Sequence, residues 1–158
     1  MQPDDLFRHA SILAMSGWLV LTASILLRWR MGRDVIAGLA VPGLLSVGYV
    51  AIIGAYWSSA QGGFGSLAEV AALFGSRWML LAGWVHYLAF DLFLGAWIAR
   101  DAEAHGVSRW LVLPLLPATL LFGPLGLALW LAMRLAMLPN SGLRRGGGSH
   151  ANNVGSAS

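Results

Sequence analysis

The chain has 158 residues, of which 58% are hydrophobic and only 11% charged, and a mean hydropathy of +0.69 excludes water as its main solvent. There is no cysteine, which removes disulfides, thiolate metal sites and cysteine nucleophiles from consideration. The net charge of +3 rests on ten basic residues, all arginine; they flank the apolar runs, a pattern that suits lipid headgroups and argues against a nucleic-acid partner.

The first apolar run, Ile12 to Leu27, comes after Asp4, Asp5 and Arg8 and before Arg28 and Arg30. A secretory signal has the opposite polarity and a small-residue cleavage site after its core, so the run is expected to persist as a first span over residues 6–27, with no cleaved signal or transit peptide. The stretch RWRMGRD at 28–34 is short enough to be a hairpin turn, and Asp34 is placed to cap the next helix. A second span is expected over 35–57, kinked at Pro42, where an amide hydrogen is missing and the ring crowds the preceding turn.

Between Ser58 and Arg77 the character changes. Ser66 and Glu69 have capping-box spacing, Gly75 is a natural stop, and Leu67, Val70, Ala71 and Phe74 recur at i, i+3, i+4 and i+7. The helix they define, 66–74, is too short to cross hydrocarbon and is expected to lie on the membrane surface. A third span follows over 78–99, then a turn at AEAHGVS with Gly106 as stop and Ser108 as cap. A fourth is expected over 110–137, carrying Pro114, Pro117 and Pro124. In lipid the carbonyl freed by a proline needs a neighbour to satisfy it, so this helix should pack inside protein around Pro124.

The predicted fold is therefore all-α, a four-helix transmembrane bundle within residues 1–138, followed by a disordered tail over 139–158. Trp29, Trp57, Trp78, Trp97 and Trp110 fall near the expected span ends, where an amphipathic ring sits between hydrocarbon and headgroups. Four spans put Arg28, Arg30, Arg33, Arg100 and Arg109 on one side and Arg8, Arg77, Arg134, Arg144 and Arg145 on the other. The numbers balance, and the cluster after the first helix leans toward both termini outside, in a bacterial cell (inner) membrane.

His86 and Asp91 lie near the middle of the third span, each within ~5 Å of its centre by helical rise. A charged aspartate at that depth costs about 2.5 to 3.5 kcal/mol, so it should be neutral, paired or turned toward a polar cavity, and such residues are functional candidates by default. On a helical wheel Gly83, Tyr87, Asp91 and Gly95 share one half with His86. The other half, with Leu81, Val85, Leu88 and Leu92, could face lipid. His86 and Asp91 are five apart and so not direct neighbours; a ligand, a water or a residue such as Ser16, Thr22, Ser46, Tyr49 or Thr119 would have to join them. Two readings stand: hydrogen bonds that hold the bundle in register, or an acid–base pair for proton transfer.

Metal binding is disfavoured because His86 has no carboxylate or histidine three or four residues away. Haem lacks a second deep histidine, and no cofactor is expected. His9, His105 and His150 read as solvated, and Arg100 with Asp101 as an interfacial pair.

The block W-x-H-Y-L-x-F-D-L-F from Trp84 to Phe93, Asp101 ten residues beyond Asp91, and FGPLG at Phe122 to Gly126 together resemble the abscisic-acid-deficient-four-like family, over nearly the whole chain up to about Arg134. Plant members of that family are plastid membrane proteins required for making neoxanthin from violaxanthin. The resemblance marks Trp84, His86, Asp91, Asp101, Phe122, Pro124 and Gly126, and it implies a carotenoid or isoprenoid substrate. Opening an epoxide to an allenic alcohol takes a proton from carbon and gives one to oxygen, a task for one acid and one base. His86 and Asp91 would divide those roles, with Trp84, Tyr87, Phe90 and Phe122 lining a slot for the polyene, and Asp101, Pro124 and Gly126 as structural parts.

The leading expectation is a carotenoid- or isoprenoid-modifying enzyme or enzyme subunit of isomerase type, embedded in membrane lipid, with a membrane protein partner or a second copy of itself as further company. The alternative is a non-catalytic scaffold or pigment-binding protein. A proton or solute carrier is disfavoured by the scarcity of intramembrane ionisable groups.

Overall fold

The computed structural model describes residues 2–137; the tail expected over 139–158 lies outside the described residues. Those residues form helices and turns. Helix α1, Pro3–Leu27, buries Ala14, Gly17, Trp18, Leu21 and Ser24, a single stripe at helical spacing. It ends where Arg28 turns into the left-handed region at φ 56°.

The second rod is composite. A π-helical segment, Gly32–Ala40, leads into helix α2, Val41–Tyr56, and a final 3-10 turn, Trp57–Ser59. The expected kink at Pro42 takes the form of this π segment. Pro42 has no N–H to return to the preceding turn, and the chain widens so that the N–H of Val41 reaches back to the carbonyl of Ile36. Asp34, expected as a cap, lies inside the segment, and its carboxylate takes two hydrogen bonds from Arg33 at 2.7 and 3.0 Å. The short helix α3, Leu67–Gly75, is capped as expected: the hydroxyl of Ser66 accepts from Glu69 N, and the Glu69 carboxylate accepts from Gly65 N. Its anchor is Leu73, which is buried, while Leu67 of the expected stripe is 84% exposed.

Helix α4, Arg77–Ala104, is the axis of the molecule. It touches α1, the π segment, α2, α3 and every later helix, and more of its length is buried than of the other long helices. Leu81, Val85, Leu88 and Leu92, expected to face lipid, are buried. The first three pack with Ala14, Leu45 and Ile52, and Leu92 packs with Trp18 and Leu21. An apolar side chain inside a membrane is equally at home against acyl chains or another helix, so a helical wheel cannot tell the two apart.

The expected fourth span is the main departure. Three helices, Pro3–Leu27, Gly32–Ser59 and Arg77–Ala104, are long and apolar enough to cross a membrane. The segment after them breaks into α5, Arg109–Val112, α6, Leu115–Leu121, and α7, Gly123–Met137. Phe122 leaves helical geometry at φ −145°, ψ 68°, and α7 turns back along α6. A Cβ on Gly126 would collide with the Thr119 side chain, which is how closely the two helices lie. At the far end Trp130 and Arg134 reach Asp101, near the end of α4. At ~1.5 Å per residue α7 is about 22 Å long, short of ~30 Å of hydrocarbon.

The hairpin also moves a charge. Arg134 joins Arg28, Arg30, Arg33, Arg100 and Arg109 at the end of the bundle where α4 finishes. Only Arg8 and Arg77 lie at the other end, with Arg77 paired to Asp4 at 2.6 Å. The even split expected from four spans is gone among the described residues; Arg144 and Arg145 fall outside them. The N-terminal start and Met137, the last described residue, stand at opposite ends of the bundle.

Candidate functional site

Asp91 sits midway along α4 and is 7% exposed. Its neighbours come from the hairpin tip. A Cβ on Gly123 would land on the Asp91 carboxyl, so only glycine leaves room for that side chain, and the first, electropositive turn of α7 meets a carboxyl there. One carboxyl oxygen, Oδ2, is buried without a hydrogen-bond partner among the described residues. A buried polar atom left unpaired is costly, and it marks the place where a ligand or water would complete the set.

Tyr87, one turn earlier, lies beside Asp91. Its hydroxyl donates to the carbonyl of Leu120 at 2.5 Å. Residue 124 is the proline that would otherwise have bonded that carbonyl along the helix, so Tyr87 replaces the missing amide. The expected satisfaction of the freed carbonyl is met by this one bond, but Pro124 itself is exposed, as are Leu121, Phe122 and Leu125, so the helix does not pack inside protein there as expected.

Below the hairpin tip, toward the start of α4, α6 and α7 no longer cover the helix. An apolar groove of about 520 Å³ opens there, lined by Phe7, Phe74, Leu80, Gly83, Trp84 and Tyr87 among others, with the Asp4–Arg77 pair at its margin. Trp84 stacks with Tyr87 at 5.4 Å between ring centroids and meets Phe7 in a tilted pair at the same distance, and its Nε1 donates to Ser11 Oγ at 3.1 Å. A side chain at Gly83 would strike the ring of Phe74, so α3 closes this groove from the outside.

The other expected site residues are scattered. His86 is exposed on the α2 side of α4, stacked on Phe90 at 4.4 Å and 5.7 Å from the ring of Tyr49. Phe90, 60% exposed, lines a shallower groove with Pro42, Ser46 and Phe93. Phe122 is exposed at the hairpin tip. Of the four aromatics expected in one slot, Trp84 and Tyr87 share a groove. No contact joins His86 to Asp91. Nor do the hydroxyls suggested as bridges reach them: Ser16, Thr22, Ser46 and Thr119 each donate to a carbonyl of their own helix.

Asp101 is bonded to the hairpin and not to Arg100. It accepts from Trp130 Nε1 at 3.0 Å, with Arg134 and His105 each 3.6 Å away. Trp130 is fully buried. Trp130 and Gly123 are the two residues that sequence reasoning missed. The first glycine of FGPLG was the available signal for one; nothing in the local sequence ties Trp130 to Asp101.

Matched against known protein families, residues 5–130 fit the one described as ABA4-like, ABA DEFICIENT 4-like. No curated protein and no solved structure matches the chain.

Proposed function

The chain belongs to the ABA DEFICIENT 4-like family, and from that premise we propose that it is a membrane enzyme, or the catalytic subunit of one, that isomerises a carotenoid or related isoprenoid in the groove under the hairpin. The observation that carries this reading is the unpartnered oxygen of Asp91, one helical turn beyond Tyr87, the last residue of α4 to line an apolar, aromatic groove. A polyene would lie against Phe7, Trp84 and Tyr87 with its functional group toward the hairpin tip.

The chemistry asks little of the protein. When an epoxide opens to an allenic alcohol, a carbon loses its proton, a C–O bond breaks, a new C=C bond forms and the oxygen gains a proton. Nothing is added overall, so one carboxylate can take the proton from carbon and return it to oxygen, ending as it began. Asp91 is the group for that task. His86 faces the other side of α4 and stands outside this site, unlike the pairing that the family resemblance suggests.

The membrane arrangement we favour in place of four spans is three spans and a re-entrant hairpin, α5 to α7, whose tip stops at the depth of Asp91. Irregular backbone at that depth is tolerated where protein satisfies its polar groups, as Tyr87 does for the Leu120 carbonyl. The arginine-rich end then belongs to the cytoplasmic side, with the N-terminus outside. Reporter fusions at the N-terminus and after Met137 should report opposite sides; the same side for both would restore four spans.

The test of function is expression in a host that accumulates epoxy-carotenoids. Wild type should convert the epoxide, whereas Asp91→Asn should accumulate to normal protein levels, retain bound polyene in its absorption spectrum and lose conversion. Unchanged conversion by Asp91→Asn would remove the catalytic role and leave pigment binding or scaffolding.

A further inference from the structure

A second cavity, of about 480 Å³, opens at the arginine-rich end of the bundle, where α1 finishes, the π segment starts and α4 turns into α5. Its α4 lining residues, Ala99 and Glu103, are eight and twelve residues beyond Asp91, and it plays no part in the site described above. Its floor is apolar, with Ile25, Ala99 and Val112, and four guanidinium groups to one carboxylate line the rest.

The ion pairs leave a surplus of positive charge. Glu103 is taken by Arg30, at 2.9 Å, and by Arg33, and Arg33 also holds Asp34. Arg28 and Arg109 have no carboxylate among the described residues. Arg109 is held in place by a bond from Nη1 to the carbonyl of Leu26 at 2.9 Å and lies 5.5 Å above the ring of Trp110, which leaves its other N–H groups free. Unpaired guanidiniums around one cavity repel each other until an anion joins them, and their planar forks match phosphate oxygens. Trp29 and Trp110 in the wall are half exposed, as interfacial tryptophans are.

We propose that this cavity binds the phosphate group of an anionic phospholipid, gripped by Arg28 and Arg109, with the glycerol backbone against the apolar floor. A bound lipid would join the α1 end, the π segment and the α4–α5 turn, adding to the bonds through Glu103 and the Leu26 carbonyl.

The test is native mass spectrometry of the full protein in mild detergent, titrated with phosphatidylglycerol or with phosphatidylcholine of the same acyl chains. Phosphatidylglycerol should be retained as one adduct at least about fivefold more tightly, and Arg28→Asn, which keeps the left-handed backbone, should lose about fivefold. Adding Arg109→Gln should deepen the loss to well over tenfold. Because the Arg28 side chain makes no hydrogen bond or ion pair among the described residues, its variant reports on binding even if the double variant fails to fold. Equal retention of the two lipids, or wild-type retention by Arg28→Asn, would overturn the proposal. Displacement of the lipid by a few equivalents of inorganic phosphate would assign the site to a free anion and overturn the lipid as its occupant.

Discussion

Two carboxyl groups on the same helix, ten residues apart, meet the same hairpin in opposite ways. Asp101, at the membrane-surface end of α4, is surrounded by Trp130, Arg134 and His105. Asp91, midway along the helix, meets a glycine and keeps one oxygen unpartnered. The first is a fastening between α4 and α7, satisfied within the protein. The second has its surroundings cleared for it, and an unpaired buried polar atom persists only when the rest of the fold holds it in place. Two acidic residues that look alike in sequence therefore carry different duties, and the partners supplied by the hairpin separate them.

Substitutions along this contact can sharpen or break that contrast. Gly123→Ala should be the most damaging, about 3 kcal/mol, since a Cβ there displaces the Asp91 carboxyl or the turn itself; thermal unfolding in detergent measures it, and a wild-type midpoint would mean that the tip is loosely packed. Asp101→Ala should cost about 2 kcal/mol by leaving the buried indole N–H of Trp130 without an acceptor, with cleavage by added protease appearing first in α7. Tyr87→Phe should cost about 1 kcal/mol, the loss of one interhelical bond that frees the Leu120 carbonyl. It should also weaken polyene binding less than Trp84→Ala, as read from the pigment absorbance of the purified proteins. His86→Ala should change stability by less than about 0.5 kcal/mol and leave carotenoid conversion intact. Loss of conversion in that variant with normal folding would return His86 to the site and end the contrast between the two faces of α4.

Much of the fold was legible in the sequence. The three long apolar runs, the cap of α3 at Ser66, the stop at Gly106 and the disturbance at Pro42 all follow from local rules of length, hydrogen bonding and proline geometry. The need to satisfy a carbonyl near Pro124 was legible too, though not the identity of its partner. The candidate site was legible in part: Asp91, Tyr87 and Trp84 stood out, while His86 drew equal weight because periodicity places residues around one helix without saying what covers each side.

What the amino-acid order determined by itself is the solvent and the spans, since apolar length and the absence of charge are properties of each segment alone. Only the tertiary structure decided that residues 109–137 break and fold back, and with that which end of the bundle Arg134 joins and the different fates of Asp91 and Asp101. The physical reason is that a proline and two glycines permit a break but do not require a reversal. The reversal is fixed by long-range contacts, Tyr87 to Leu120, Gly123 to Asp91 and Trp130 to Asp101, that no local pattern encodes.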